Sequence, residues 1–526
     1  MMIILFFMGS ALFLLLPTNF SVIMKEKNDI QARFAADAGI QTASALISDD
    51  VQNGEIDEIP EELDSPSDSP LAPWNYQVSI TPGPGNSAGS LLSYTLRSTG
   101  TDGIFSKKIV SMIEQESFGE YLIFTNSEIA PDGSTLWYAP GLTITDGPVF
   151  TNGQFNVSIP QGYYQNSPSP FFLSTATSVY PPSSQYPDGV NYGGGGSPPY
   201  DSSGNPIPGD YEDIYKGGRP DLITGAKPIP FPTGYSSIQN ASWGNSSEFP
   251  AAPGVYVNTG KPQPPGVERN PKAAAGIYVS GSVDQILMGT ATNTNNSMLT
   301  LNQGTSQYQI TYVTSDPVTI PPGSIVNGKP IHTPQEIMTG NTILQNKNVY
   351  SVYQGTTNGT IFVNGNIGSS SGGGISGTVQ GKYTIAASGD LYINGNIDYQ
   401  DTTPGQPPTN SQDMLGLIGT NVIIGDSAPP NLMIYADIYA GAKQSDGSLT
   451  GWAYAQDYDT RQTGTLQLFG GVVSVYRFTT GTFNSYSGQM MSGYAKTLHY
   501  DPRLAQSPPP FFPTTGKFRT IYRHEE

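Results

Sequence analysis

The 526-residue sequence contains no cysteine, which excludes disulfide frameworks, cysteine-ligated zinc, iron–sulfur clusters and thiol catalysis. Histidine is nearly as scarce. His332, His499 and His524 lie far apart and form no H-x-x-x-H or H-E-x-x-H pair, so no histidine metal site or metalloprotease helix is expected. Charge is sparse too, at 12% of residues, about half the ~25% usual in globular proteins. The balance is acidic, 23 Lys and Arg against 42 Asp and Glu for a net charge of −19, which argues against the whole molecule binding polyanions, because phosphate contacts need clustered cations. Neither a G-x-S-x-G elbow nor a P-loop occurs, and no cofactor is expected. What is plentiful is 61 Gly, 45 Pro and 31 Tyr. Glycine and proline disfavour helix interiors, whereas Tyr with Gly, Asn and Thr suits strands closed by tight turns. The expected fold class is mainly β.

One long helix is the exception. Met1 to Met24 carries no charge, and Ile3, Leu5, Phe6, Leu12, Leu14 and Leu16 make it apolar on every side. Its length suits a membrane-spanning helix, kinked at Pro17, so a single-pass membrane anchor is expected over this segment. Neither a basic n-region nor a signal-peptidase site accompanies it. Good helix formers continue from Gln31 to Ile47 without proline. Ile30, Phe34 and Ala38 recur at spacings of four, as do Ala36, Ile40 and Ser44 with Ala43 and Ile47 beside them. The helix is therefore assigned to 1–48. An acidic, proline-rich linker follows at 49–74. Alternation then places strands at Asn75–Thr81, Leu91–Ser98 and Phe105–Glu114 within a segment spanning 75–135.

An internal repeat organises the rest. Ile277-Tyr278-Val279-Ser280-Gly281-Ser282-Val283, Ile361-Phe362-Val363-Asn364-Gly365-Asn366-Ile367 and Leu391-Tyr392-Ile393-Asn394-Gly395-Asn396-Ile397 share one pattern, with Val149 to Phe155 as a looser copy. Each reads as a short strand broken at a corner (Asn152 and Gly153, Gly281, Asn364 and Gly365, Asn394 and Gly395) where glycine takes positive φ. A unit that buries one face needs stacked copies to form a core, so a β-solenoid is expected over 136–480; isolated hairpins with Asn-Gly turns are the alternative. A Tyr-, Pro- and Gly-rich loop insertion spans 160–271, a composition seen in adaptable recognition surfaces, and 481–526 forms a C-terminal segment and tail.

Chemistry is hard to locate. Asp457 with Asp459, and Asp210 with Glu212 and Asp213, are the nearest thing to paired carboxylates, but they fall in loop-like stretches away from the repeated strands. Two small basic patches are candidate DNA contacts: Lys107 with Lys108, and Lys517, Arg519 and Arg523 interleaved with Phe518 and Tyr522. A solvated strand edge and a frayed tail are the plain readings of the same residues.

Three segments resemble a known family. Ala32-Arg33-Phe34-Ala35-Ala36-Asp37-Ala38-Gly39-Ile40-Gln41 is similar to the segment that closes the first helix of PilX-type minor pilins. Asp146-Gly147-Pro148-Val149-Phe150-Thr151-Asn152-Gly153 resembles a G-P-V-x-T-N-G run of large pilus-associated proteins whose first helix is PilX-like. Tyr500-Asp501-Pro502-Arg503-Leu504 with Pro508 to Gly516 resembles their closing signature. The layout is similar to that of competence minor pilins that carry a β-solenoid. The sequence departs from pilin precursors in lacking a basic leader ending in Gly and a glutamate before Lys25. The resemblance implies a long pilin-like helix, antiparallel pilin-type strands and a solenoid. It also implies a non-catalytic subunit at the tip of a type IV pilus or related filament, held in the inner membrane before assembly and then exposed at the cell surface. Other pilins would contact the helix, and the solenoid would meet DNA during natural transformation or a surface ligand. An adhesive or structural pilus component and a carbohydrate-active β-helix enzyme are the competing readings.

Overall fold

The computed structural model describes the backbone of residues 2–526 apart from 54–58, 67–73, 84–85, 87–89, 140–142, 167–169, 232–235, 244–248, 250, 252, 258–274, 291–296, 305, 313–324, 327–328, 331–349 and 355–356; side chains are described from residue 23 onward, except over 306–357 and beside those segments. The chain is mainly β with one long N-terminal helix, and it divides into two compact units, Met1–Glu116 with Thr514–Glu526, and Ser117–Pro513.

The first unit is a helix on a sheet. Helix α1 (Met2–Asn53) runs into the segment expected as linker. The sheet comprises β1 (Glu62–Asp64), β2 (Asn75–Pro82), β3 (Ser93–Asp102), β4 (Phe105–Ser117) and the C-terminal strand Thr514–Glu525, in that order. β1 through β4 pair antiparallel. Alternation decides the faces: Tyr76, Val78 and Ile80 of β2 are buried while Gln77 and Ser79 between them are exposed. They pack with Tyr94, Leu96, Ile109 and Ile113 against Ala36, Ile40, Ala43 and Ile47 of α1. Residues 514–525, which belong to the expected C-terminal segment and tail of 481–526, are thus a strand of this sheet. The acidic segment contributes β1 as well as α1's last turn.

Among the described residues no helix is long and apolar enough to cross a membrane, which overturns the expected single-pass inner-membrane anchor. Where its side chains are described, α1 carries Lys25, Glu26, Lys27, Asp29 and Arg33 within about two turns, a density of charge that hydrocarbon does not tolerate. The side chains of Ile3, Leu5, Phe6, Leu12, Leu14, Leu16 and Pro17, on which that expectation stood, lie outside the described residues.

In the second unit the strands form one closed network of pairings, largely parallel. A file of interior aliphatics runs through it in register: Leu222, Ala176, Val149, Ile123, Val472, Ile438, Leu417, Ile385, Ile361 and Ile277. All are buried in one core. A second file, Phe150, Phe124, Val473, Tyr439, Ile418, Ala386, Phe362 and Tyr278, follows the neighbouring positions and forms a separate cluster. Alternate residues on each strand thus feed two different hydrophobic layers, as the two-residue strand period requires.

Spatial order departs from chain order. Strand β5 (Ile123–Ser127) lies mid-stack, beside Gly464–Thr479. From β5 the chain proceeds outward through Val149–Thr151 and Ala176–Ser178 to Leu222–Thr224. It resumes at the opposite end with Ala275–Ser280 and returns rung by rung to Gly464–Thr479. Two rungs therefore come from the 160–271 insertion.

Candidate functional site

The segment Phe34 to Gly39 is built for close approach. Ala32, Ala35 and Ala36 are fully buried, and Gly100 of β3 faces them. A Cβ on Gly100 would fall within contact of the Ala32 carbonyl and the Ala36 amide, and 2.9 Å from the Ala35 carbonyl carbon. On the helix side, a Cβ at Gly39 would lie 2.8 Å from Val78 Cγ2 and 3.0 Å from Tyr76 Cδ2. Small residues on both partners let two backbones meet, so this motif is a helix–sheet seam. Ala38 packs partly against the same cluster. The other side of α1 is bare: Ile23, Ile30 and Phe34 are 60%, 52% and 61% exposed.

The candidate DNA cations are mostly engaged with carboxylates. Lys107 Nζ lies 3.2 Å from Asp29 Oδ2 and 3.0 Å from Glu525 Oε1, and those two hydrogen bonds, Glu525 first, raise its pKa. Arg519 pairs with Glu114 at 3.0 Å, Arg523 with Asp37 of the helix motif, and Arg33 with Glu525 at 3.4 Å. The structure thus brings Lys107, Arg523 and Asp37 together as a charge lattice clamping the C-terminal strand to α1. Lys517 also sits in that strand. Lys108 is exposed on the outer face of the sheet, where with Arg97, Gln77, Ser79, Glu62 and Glu526 it lines a concavity of ≈ 190 Å³.

The repeated corners serve stacking. Ile277 to Ser280 lies in register on Ile361 to Asn364, but the third copy is displaced: Leu391, its first residue, aligns with Ile367, which in turn aligns with Val283, the closing aliphatic positions of the other two. Positive φ holds at Gly281 (85°) and not at Gly153, Gly365 or Gly395. At Gly365 a Cβ would lie 2.6 Å from the Ser282 amide, and at Gly395 2.8 Å from Ser376 Cβ. There glycine is required by the rung next door, which corrects the turn-geometry expectation. Asn152 donates to Ile229 O at 2.7 Å and accepts from Ile229 N at 3.0 Å, pinning a loop. Asn364 accepts from Ser388 Oγ at 3.3 Å. Asn394 is bracketed by Gly374 and Gly425.

The two signature segments meet. Asp146 accepts from Tyr500 N at 2.5 Å and contacts His499 Nδ1 at 2.9 Å, and a Cβ on Gly147 would lie 2.7 Å from Tyr500 Cγ. Asp501 accepts from Arg503 Nε and Nη2 at 2.9 and 2.6 Å, while Arg503 Nη1 donates to Ser411 O at 2.5 Å. Phe512 is buried in the second hydrophobic layer beside Gly416. Within the second unit the two motifs thus pack on each other.

A buried ionic cluster had no sequence signal, because its members are hundreds of residues apart. Arg477 lies with its guanidinium carbon 3.6 Å from the Tyr138 ring centroid and Nε 3.8 Å from Glu128 Oε2. Thr125 donates to Glu128 Oε1 at 2.5 Å, and Lys496 donates to the Phe478 carbonyl. Burial pushes the Glu128 carboxyl up against the opposing pull of Arg477, and pushes the Lys496 ammonium well down. Such a buried network favours one arrangement of the strands it joins. Part of the Tyr-rich insertion is interior: Tyr211 and Tyr215 are buried, Tyr211 and Tyr192 donate to Asp188 Oδ2 at 2.6 and 2.9 Å, and Tyr215 stacks on Phe172. Gln185, Tyr200 and Asp201 line an open concavity of ≈ 400 Å³ on its surface.

The acidic candidates lie in turns and a short helix, outside both concavities named above. Asp457 adopts a positive φ of 49° in a turn capped by its carbonyl. Asp210, Glu212 and Asp213 share the short helix Pro208–Glu212 and its C-cap, and neither concavity named above includes them. Among the described residues no three carboxylates or histidines converge as a metal site; His332 lies outside them.

No family profile matches the chain, and no curated protein matches it. A solved structure to which it has a likeness is that of the competence-associated pilin ComZ from Thermus thermophilus, at 13% identity and a TM-score of 0.29, covering 95% of this chain and 98% of that one. At that identity and TM-score the likeness assigns neither a fold nor a family to this chain.

Proposed function

We propose that this chain is a non-catalytic, pilin-like surface component whose mechanism is assembly. The observation that carries this is the first unit. Its long helix is fixed to an antiparallel sheet by a small-residue seam on one side and leaves Ile23, Ile30 and Phe34 bare on the other. Those three side chains form a stripe that a neighbouring helix would cover. Between β4 and the C-terminal strand the chain of the second unit is inserted; its in-register parallel rungs support reading it as a β-solenoid.

DNA recognition and a place at the filament tip are finer readings with less behind them. Of the cations proposed for DNA, Lys107, Arg519 and Arg523 are held by carboxylates. Ile30→Asp and Phe34→Asp change exposed positions only. The chain carrying both should fold as the parent does yet disappear from sheared surface filaments; undiminished recovery in filaments contradicts the proposal.

A further inference from the structure

The open concavity of ≈ 400 Å³ in the Tyr-rich insertion lies wholly within the second unit, and local bonds hold its walls in shape. Ser183 and Tyr186 close a turn beside it, Ser183 N donating to Tyr186 O at 2.8 Å and Tyr186 N to Ser183 Oγ at 3.1 Å. Asp201 organises a second turn: Oδ1 accepts from Ser203 N at 2.8 Å and Asn205 N at 2.9 Å, and Oδ2 accepts from Asn205 Nδ2 at 3.0 Å. The two turns touch, because a Cβ on Gly204 would stand 3.2 Å from Pro187 Cβ. The Tyr200 ring meets Tyr192 edge to face at 5.9 Å, and Tyr192 in turn donates to the buried Asp188 at 2.9 Å. A ligand entering walls already fixed in this way loses little binding free energy to ordering them.

The lining narrows the class of ligand. Among the described residues it contains no Lys, Arg or His, and no Leu, Ile, Val or Phe, so it offers a phosphate no cation and a lipid no aliphatic wall. Its one charged member, Asp201, already accepts three hydrogen bonds, which leaves about one of a carboxylate's roughly four acceptor positions for a visitor. The rest is hydroxyl, amide and ring: Ser184, Gln185, Ser197 and Ser202 are exposed polar side chains, and Pro187, Pro198 and half-buried Tyr200 present C–H and aromatic faces. We propose that this concavity is a binding site for short neutral oligosaccharides. A sugar ring alternates hydroxyl edges with C–H faces. Its hydroxyls exchange hydrogen bonds with serine and glutamine groups that both donate and accept, and a C–H face lies on Tyr200, whose ring is apolar with one polar tip. Tyrosine and serine on turns held by a rigid scaffold are also the materials of adaptable recognition loops. The site does not depend on the assembly role proposed for α1.

The test titrates maltotriose, cellotriose, mannotriose and triacetylchitotriose into the full chain, read by saturation-transfer NMR and calorimetry, with a heparin tetrasaccharide as the charged counterpart. At least one neutral trisaccharide should bind saturably with a Kd of ~1 mM or tighter, and salt should leave that affinity unchanged because no charge is paired. Heparin should not bind. Tyr200→Ala should weaken binding about tenfold, whereas Tyr200→Phe, which keeps the ring, should stay within about twofold of the parent. Gln185→Ala alters an exposed side chain and should weaken binding without touching the fold, so it decides the matter even if Tyr200→Ala unfolds. The proposal is overturned by silence from all four neutral sugars at ~10 mM, by heparin binding as well as they do, or by affinity unchanged in Gln185→Ala. Crystals of the unaltered chain soaked in the bound trisaccharide give an independent check: a sugar ring on Tyr200 supports the site, and sugar found only elsewhere refutes it.

Discussion

Gly100→Ala is the sharpest perturbation of the first unit. The new methyl would meet main-chain atoms of Ala32, Ala35 and Ala36, which cannot rotate away as a side-chain end can. Restoring contact distance requires α1 to back off the sheet by about 1 Å, loosening the packing of Ile40, Ala43 and Ile47 beneath it. Overpacking of this kind costs about 1–3 kcal/mol, and an all-backbone clash belongs at the upper end. The alanine's lower chain entropy returns about 0.5–1 kcal/mol, leaving a net loss of about 2 kcal/mol. Gly39→Ala supplies the internal comparison: its methyl meets Ser98, Val78 and Tyr76 side chains, and alanine in a helix gains about 1 kcal/mol over glycine, so the net change should be under about 1 kcal/mol. Urea unfolding followed by helical circular dichroism reads both. If Gly100→Ala is within ~0.5 kcal/mol of the parent, or no worse than Gly39→Ala, the seam does not have the geometry described.

Other consequences are equally direct. Asn152→Ala removes both hydrogen bonds to Ile229 and should cost about 2–3 kcal/mol in a urea melt; a change under ~0.5 kcal/mol refutes the pinning role. Arg519→Gln with Arg523→Gln should lower stability at low salt and lose that effect in concentrated salt, because exposed pairs are screened. DNA affinity and its salt slope should not move, and a flattened slope would restore these residues as DNA contacts. Burial, with Asp501 beside it, holds the Asp437 carboxyl well above its ordinary value, so the folded chain binds that proton more tightly than the unfolded one. The stabilisation is complete below the unfolded value, about pH 4, and is lost as pH rises. Asp437→Asn should therefore gain on the parent from about pH 4 upward, and a flat difference in pH-dependent melts contradicts a buried, protonated Asp437.

Local pattern made much of this legible in the sequence. Alternation at Tyr76, Val78 and Ile80 and the aliphatic–aromatic–aliphatic repeat at Ile277 and Ile361 reflect burial on strands, which a two-residue period records directly. The Ala36, Ile40, Ala43 and Ile47 stripe was equally visible, since helical spacing and the buried face coincide. What local pattern cannot carry is pairing at a distance. Arg519 and Arg523 read as a cationic tail because Glu114 and Asp37, which neutralise them, are hundreds of residues away. For the same reason Leu391 looked like the start of a third equivalent copy, although it aligns with the closing aliphatic position of the others, Ile367 and Val283. The Tyr-rich insertion gave no periodic signal because Asp188 organises its rings from inside through hydrogen bonds.

The central claim is that the bare side of α1 is covered by another helix in an assembly. Because the chain contains no cysteine, single cysteines placed at Ile30 and Phe34 report contacts there without background. In intact filaments, a short bifunctional thiol–amine reagent should join each of them to a neighbouring subunit, whereas a cysteine at exposed Ser202 should remain uncrosslinked. If Ile30→Cys and Phe34→Cys give no adduct and label with maleimide as freely as Ser202→Cys, the helix face is open in the assembled state and the assembly reading fails.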